Sequence, residues 1–160
     1  MHAAVGLGQL KRLPEIIDTQ KKNFNIIREA LSTIPEVTFR KVPEGCVESY
    51  GFLNFFLPNL EIARKVSENF KSNGIDACFH YYDNNWHYVR QWGHLKDLKS
   101  LYPISEEVKN GLAYLSTAEF PESDHFIGRN ISSLIKLSWT EDEVKNRAAK
   151  MADIIKEALV

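Results

Sequence analysis

Gly74-Ile75-Asp76-Ala77-Cys78-Phe79-His80-Tyr81-Tyr82 is the stretch on which the fold turns. Asn73-Gly74 reads as a helix stop, and Ile75 to Tyr81 reads as a short apolar strand. Upstream, Ser49-Tyr50-Gly51-Phe52-Leu53-Asn54-Phe55-Phe56-Leu57 is aromatic-rich, closed by Pro58, and the strongest strand signal in the chain. Between the two, Asn59 suits a helix N-cap, and Ile62, Ala63, Val66 and Phe70 recur at helical spacing. Strand, helix and strand joined this closely fit either a βαβ crossover or a split pair in a small sheet.

Working outward, the N-terminal residues are helical in pattern from the start, with Val5, Leu7, Leu10 and Leu13 apolar and no N-cap ahead of them. Gly6 and Gly8 each cost such a helix about 1 kcal/mol, which points to a close-packing partner. Leu7, Leu10 and Leu13 are therefore expected to be exposed or paired between copies, and the chain to be a fragment. Pro14 predicts a kink, followed by Ile16, Ile17, Phe24, Ile27, Leu31 and Ile34 up to Pro35. Val37 to Val42 alternates weakly, the pattern of a short strand. Downstream come a short helix from His94 to Leu101, a weakly helical stretch over 104–118 and a loop from Glu119 to Asn130. A strand from Ile131 to Leu137 follows. Thr140-Glu141-Asp142-Glu143 is a capping box opening a helix lined by Val144, Ala148, Met151, Ile154, Ile155 and Leu159. The class is α+β, one domain over 1–160: a connecting helix over 1–34 kinked at Pro14, then a small mixed or antiparallel sheet packed by helices over 35–160.

With 160 residues, 44% of them apolar, the chain can bury a real core. A net charge of -1 provides no general field for nucleic acid or an anionic membrane. Cys46 and Cys78 have neither the number nor the spacing of a disulfide framework or metal site. No apolar run approaches the roughly 20 residues of a membrane span. The expectation is a cytoplasmic protein with no nucleic-acid or membrane partner.

The residues after the strand carry the chemistry. Tyr81, Tyr82, Trp86, Tyr88 and Trp92 provide flat apolar faces, and His80, Asn84, Asn85 and His87 provide neutral donors and acceptors, a mixture suited to sugars or to simple cover for a sheet. His80, His87 and His94 are regularly spaced, but no H-x-x-x-H helix or cysteine pair supports a metal site, and none is expected. There is no nucleophile elbow and no glycine-rich phosphate turn. Arg129, beside Gly128, suits either a carboxylate or phosphate clamp or a salt bridge.

Ala3-Ala4-Val5-Gly6-Leu7-Gly8-Gln9-Leu10 resembles the A-A-x-G-L-x-Q-L helix of the DegT/DnrJ/EryC1/StrS sugar aminotransferases. Asn73-Gly74-Ile75 with Phe79-His80-Tyr81 resembles that family's K-G-I…H-Y segment, and Ser138 to Val144 its L-T-x-E-E-V helix start. The resemblance implies the C-terminal small domain of a type I fold, pyridoxal phosphate-dependent enzyme. Such an enzyme moves an amino group from glutamate to a keto or aldehyde sugar for lipopolysaccharide or another cell-surface glycan. It implies a homodimer and an upstream large domain holding the Schiff-base lysine, so this chain alone is expected to bind no cofactor, to contain no catalytic residue and to be inactive. The family's His at the substrate pocket corresponds to His80, with Tyr81, Trp86 and His87 as pocket lining and Arg129 on an acidic group of the substrate. The loop from His80 to Trp92 departs from H-Y-P-x-P-L-H and is more similar to the subgroup that aminates C8 of a 3-deoxy-octulosonate sugar. The rival readings are a freestanding carbohydrate-binding or interaction module, and a small metal enzyme using His80, His87 and His94.

Overall fold

In the computed structural model, which describes residues 2–84 and 86–160 (for His2 the backbone alone), helix α1 (His2–Lys11) meets α2 (Leu13–Ser32) at Arg12, with Pro14 in the first turn of α2. Strands β1 (Thr38–Phe39) and β2 (Phe52–Phe56), helix α3 (Leu60–Ser72) and strand β3 (Cys78–Phe79) follow. The chain continues through the short helices α4 (Gly93–Lys96) and α5 (Glu106–Leu112), then α6 (Pro121–Arg129), strand β4 (Asn130–Leu134) and α7 (Glu141–Leu159).

The sheet order is β1-β2-β4-β3, antiparallel throughout. β2 and β3 run the same way because each pairs antiparallel with β4, which lies between them. The strand–helix–strand unit is thus a split pair, and the central strand arrives late in the sequence.

Alternation assigns the two faces of the sheet. Leu53, Phe55 and Leu57 of the β2 segment and Ile131 and Ile135 of the β4 segment are buried in one core with α2, α3 and α7. Phe24, Ile27 and Leu31 of α2, Ala63, Val66 and Phe70 of α3, and Val144, Ala148, Met151 and Ile155 of α7 meet them there. Each fully buried large side chain contributes about 1.5–3 kcal/mol. The opposite face carries Phe52, Asn54 and Phe56 from β2 against Leu134, Ser132 and Asn130 of β4, with Phe79 of β3 beside Ser132. None of the three core helices covers it, and Phe52 remains 41% exposed.

Local signals set the helix ends. The Asn59 side chain accepts from the Ile62 N–H at 2.9 Å, and Thr140 and Glu143 cap each other reciprocally. At the end of α3, Gly74 takes φ +72, and the Ile75 N–H returns to the Phe70 carbonyl at 2.8 Å. That closure requires a left-handed residue, for which glycine has no Cβ penalty. Gln20 and Asn23 of α2 donate to the carbonyls of Ile135 and Lys136, tying the second helix to the exit of the central strand.

Three expectations need correction. Residues 119–130 are not a loop: Pro121 occupies the first turn of α6, where its missing N–H is harmless, and Glu122 and Asp124 follow at the favourable N-terminal end. The strand expected over 75–81 is reduced to Cys78–Phe79, because Ala77 adopts φ +55 and breaks the extended run before it. The strand expected over 37–42 is likewise only Thr38–Phe39. Val5, Leu7, Leu10 and Leu13 are exposed, at 59, 59, 63 and 42%.

Candidate functional site

β3 runs directly into a one-turn 3-10 helix, Tyr81–Asp83, and a second such turn covers Val89–Gln91. The aromatic segment divides into two groups as it leaves the strand.

The first group turns inward and holds the loop. His80 is 8% exposed; its Nε2 lies 2.9 Å from the Gly128 carbonyl oxygen and its Nδ1 3.1 Å from Asp83 Oδ2. Arg64 of α3 donates to Asp83 through Nε at 2.8 Å and Nη2 at 2.7 Å. Tyr82 stacks on His80 at 6.2 Å and meets Tyr88 at 5.6 Å between ring centroids. Tyr88, 3% exposed, donates its hydroxyl to Asp124, and Arg90 grips the same carboxylate with Nε and Nη2. At Gly128, α6 packs against Leu60 and Tyr82, each of which a Cβ there would meet at 3.6 Å, an ordinary contact distance.

The electrostatics of this group favour the charged carboxylates. The hydrogen bond from Arg64, then the charges of His80 and Arg64, hold Asp83 below the usual carboxylate range against the opposing effect of burial. For Asp124, burial pushes upward, but the hydrogen bonds from Arg90 and Tyr88 outweigh it and the net direction is downward. Burial, then the bond to Asp124, pushes the Tyr88 phenol up. A depressed folded-state value stabilises above the unfolded carboxyl value of about 3.9, and that stabilisation is lost as pH falls through the folded value. Urea midpoints measured from pH 6 to pH 3 are expected to fall, and Asp83→Asn to flatten the acid end of the profile. Equal slopes for the two proteins would show that the Arg64–Asp83 pair carries no such linkage.

The second group turns outward, on the sheet face that the core helices leave open. Phe79 and Tyr81 stack nearly parallel, 5.9 Å apart at 7°. Trp86 lies 5.6 Å from Phe79, and His87 meets Tyr81 edge-on at 4.7 Å. Trp86 is 59% exposed. Beside these rings, a depression of about 300 Å³ is lined by Arg40, Ser49, Phe52, Asn54, Tyr81 and Ser132. Arg129 emerges by the same face: its guanidinium lies 6.0 Å over the Phe56 ring, and its Nε is buried without a hydrogen-bond partner. No carboxylate among the described residues pairs with it.

The expected site residues are therefore split. Tyr81, Trp86 and His87 come together with one another, Arg129 lies farther along the same sheet face, and His80 is occupied on both ring nitrogens behind it. Phe52, Asn54, Phe79 and Ser132 were not anticipated. Period-two alternation along β2, β3 and β4 was the signal that could have found them. Asn85 lies outside the described residues. Among the described residues no group of three His, Cys, Asp or Glu side chains is placed to hold a metal ion, and no helix is long and apolar enough to cross a membrane. No lysine among the described residues is buried.

The sequence model of the DegT/DnrJ/EryC1/StrS aminotransferase family matches residues 1–128. The match takes in the whole aromatic segment and stops just before Arg129 and β4.

Proposed function

The chain belongs to the DegT/DnrJ/EryC1/StrS aminotransferase family, and from that premise we propose that it forms the substrate-side wall and lid of a sugar aminotransferase. On this reading an upstream large domain holds pyridoxal phosphate and the reacting lysine. Glutamate is the amino donor, and a keto or aldehyde sugar destined for a cell-surface glycan is the acceptor. The exposed apolar residues of α1 face that domain and the subunit interface of a cytoplasmic homodimer. The departure of the loop from the usual family pattern favours an octulosonate-type sugar, whose acid group Arg129 would receive.

The observation that carries the proposal is the outward ring cluster of Phe79, Tyr81, Trp86 and His87 on an uncovered sheet face. Sugars bind where flat rings meet their C–H faces and neutral polar groups meet their hydroxyls. The contribution of this chain is to bind and orient the acceptor and to exclude water from it, which converts binding energy into rate. His80, Tyr88, Arg90 and Asp124 act one step back, by fixing the loop that presents the rings.

Trp86→Ala in the full-length enzyme tests the reading. The expected result is a KM for the keto sugar raised about 10-fold or more, from the loss of one stacking face, with the half-reaction from glutamate unchanged. An unchanged KM, or equal losses in both half-reactions, would remove the cluster from the acceptor site. Binding of sugars to the chain without any amino transfer by the full-length protein would instead favour a binding module.

A further inference from the structure

Cys78 takes no part in the ring cluster, yet polar groups without partners surround it. It lies directly opposite Ser133 across the β3–β4 pair, so the two side chains are neighbours on the core side of the sheet. Ser133 is 0% exposed, and its hydroxyl has no hydrogen-bond partner among the described residues. Arg147 of α7 reaches the same place with a side chain only 9% exposed. Its Nη1 donates to Asp76 Oδ1 at 3.0 Å, and its Nη2 donates to the Asp76 carbonyl and lies 3.7 Å from Cys78 Sγ. Nε, on the same edge of the guanidinium as Nη2, is buried without a partner among the described residues. Buried polar groups are nearly always satisfied, by protein or by something bound. Here two of them are left over beside one sulfur.

Charge and access narrow what could satisfy them. Trp139 packs on Arg147, its ring 4.5 Å from the guanidinium carbon. Asp76 is shared by Arg147 and Lys136, so the cluster holds two cations against one carboxylate, and one further anion would balance it. Cys78 is only partly buried and lines a cavity of about 240 Å³ with Ser67 and Lys71 of α3 and with His80, which admits a small oxidant. Burial pushes the Cys78 thiol up, and Ser133 and Arg147 oppose that shift. Thiolate is therefore scarce at neutral pH, and attack by this sulfur is slow. What the cluster favours is the product of attack, a negatively charged oxygen on sulfur among donors that lack an acceptor.

We propose that Cys78 is a site of reversible oxidation by a hydroperoxide, its sulfenate oxygen held by Arg147 Nε and the Ser133 hydroxyl. With hydrogen peroxide, the thiolate sulfur attacks one oxygen, an S–O bond forms and the O–O bond breaks. The leaving hydroxide takes the proton of the transferred oxygen and departs as water, so sulfur is oxidised and the peroxide reduced. Two equivalents of a small thiol return Cys78 to the reduced form, releasing water and a disulfide. Arg147 and Ser133 are positioning residues in this step, acting on the oxygen once it is bound to sulfur.

Cys46→Ser leaves Cys78 as the single cysteine, and this protein is treated with excess hydrogen peroxide and followed by peptide mass mapping. The expected result is slow gain of one oxygen at Cys78, removed by dithiothreitol and persistent while peroxide remains. Ser133→Ala and Arg147→Lys should each shorten the lifetime of that product against further oxidation about 10-fold, the value of roughly one hydrogen bond to a charged group. Ser133→Ala removes an unsatisfied hydroxyl, so the urea midpoint of the reduced protein should stay unchanged or rise. A shorter lifetime in that variant therefore reports the lost donor and not a loosened fold. The site is overturned if Cys78 gains no oxygen while Cys46, in Cys78→Ser, is oxidised under the same conditions. It is also overturned by direct passage of Cys78 to an irreversible dioxide, or by unchanged lifetimes in both variants, which would show that a buried water satisfies the two groups instead.

Discussion

Phe55→Ala is expected to be the most damaging single substitution in the chain, lowering the unfolding free energy by about 3–5 kcal/mol. Phe55 is fully buried, at 0% exposure, and lies opposite Phe39 on β1 and Ile131 on β4. It is therefore at the crossing of the sheet with the layer of α2, α3 and α7, where no neighbour can close a phenyl-sized void without moving a strand. Domains of this size are stable by only about 5–15 kcal/mol, so the loss removes a fifth or more of that margin. Urea denaturation followed by circular dichroism measures this directly. A loss below about 1.5 kcal/mol, the range of a conservative core change, would place the weight of the core elsewhere. Because Asn54 adjoins Phe55 on the same strand, the variant should also lose the sheet face that carries the candidate site.

Asp124→Ala is expected to have the second-largest effect, different in kind. One carboxylate accepts the Tyr88 hydroxyl and both prongs of Arg90, so its removal leaves a buried phenol and an arginine unpaired together. Leaving such groups unsatisfied costs about 1–3 kcal/mol. The cost falls on the segment from Tyr81 to Trp92, which α6 holds, and not on the main core. Amide exchange in that segment should accelerate by roughly 5- to 150-fold, the factor matching that cost, while exchange in α7 and β2 stays slow. In the full-length enzyme the acceptor KM should rise with little change in the donor half-reaction. Uniform acceleration across the chain would mean that the loop and the core unfold as one unit.

Much of the fold was legible because its main elements carry independent, agreeing signals. Asn59 with the Ala63–Val66–Phe70 stripe, Gly74 as the left-handed stop, and the Thr140–Glu143 box with the Val144–Ile155 stripe each state both the type and the limit of a helix. Helix α6 was hidden because Pro121 and Gly128 are ordinary punctuation when read locally. Their use as first-turn residue and close-packing point depends on Leu60 and Tyr82, which are remote in sequence. The strand before His80 shrank because Ala77 adopts a backbone conformation that its residue type does not announce.

The site was legible as a segment and not as an arrangement. The density of rings between Phe79 and Trp92 marks the segment, but the inward direction of His80 and the outward direction of Tyr81 follow from the strand's alternation and from the turn after it. Asn54 and Ser132 are small polar residues within strands, unremarkable until β4 sets them side by side. Arg129 was expected either to clamp an acid or to form a salt bridge. It has no carboxylate partner among the described residues and rests instead over Phe56.

The lateness of β4 has a consequence during synthesis. Phe55 finds its sheet partner Ile131 only after the ribosome has made everything between them. At about 5–20 residues per second, the β2 edge waits roughly 4–15 s with its hydrogen-bonding groups and its phenylalanines unclaimed. Pairings this distant in sequence are also slow to form once both strands exist. The nascent chain thus passes through an interval in which β2 is an open sheet edge, the form most prone to join a neighbouring molecule. Translation speed between α3 and β4, more than final stability, should govern how much soluble protein a cell obtains.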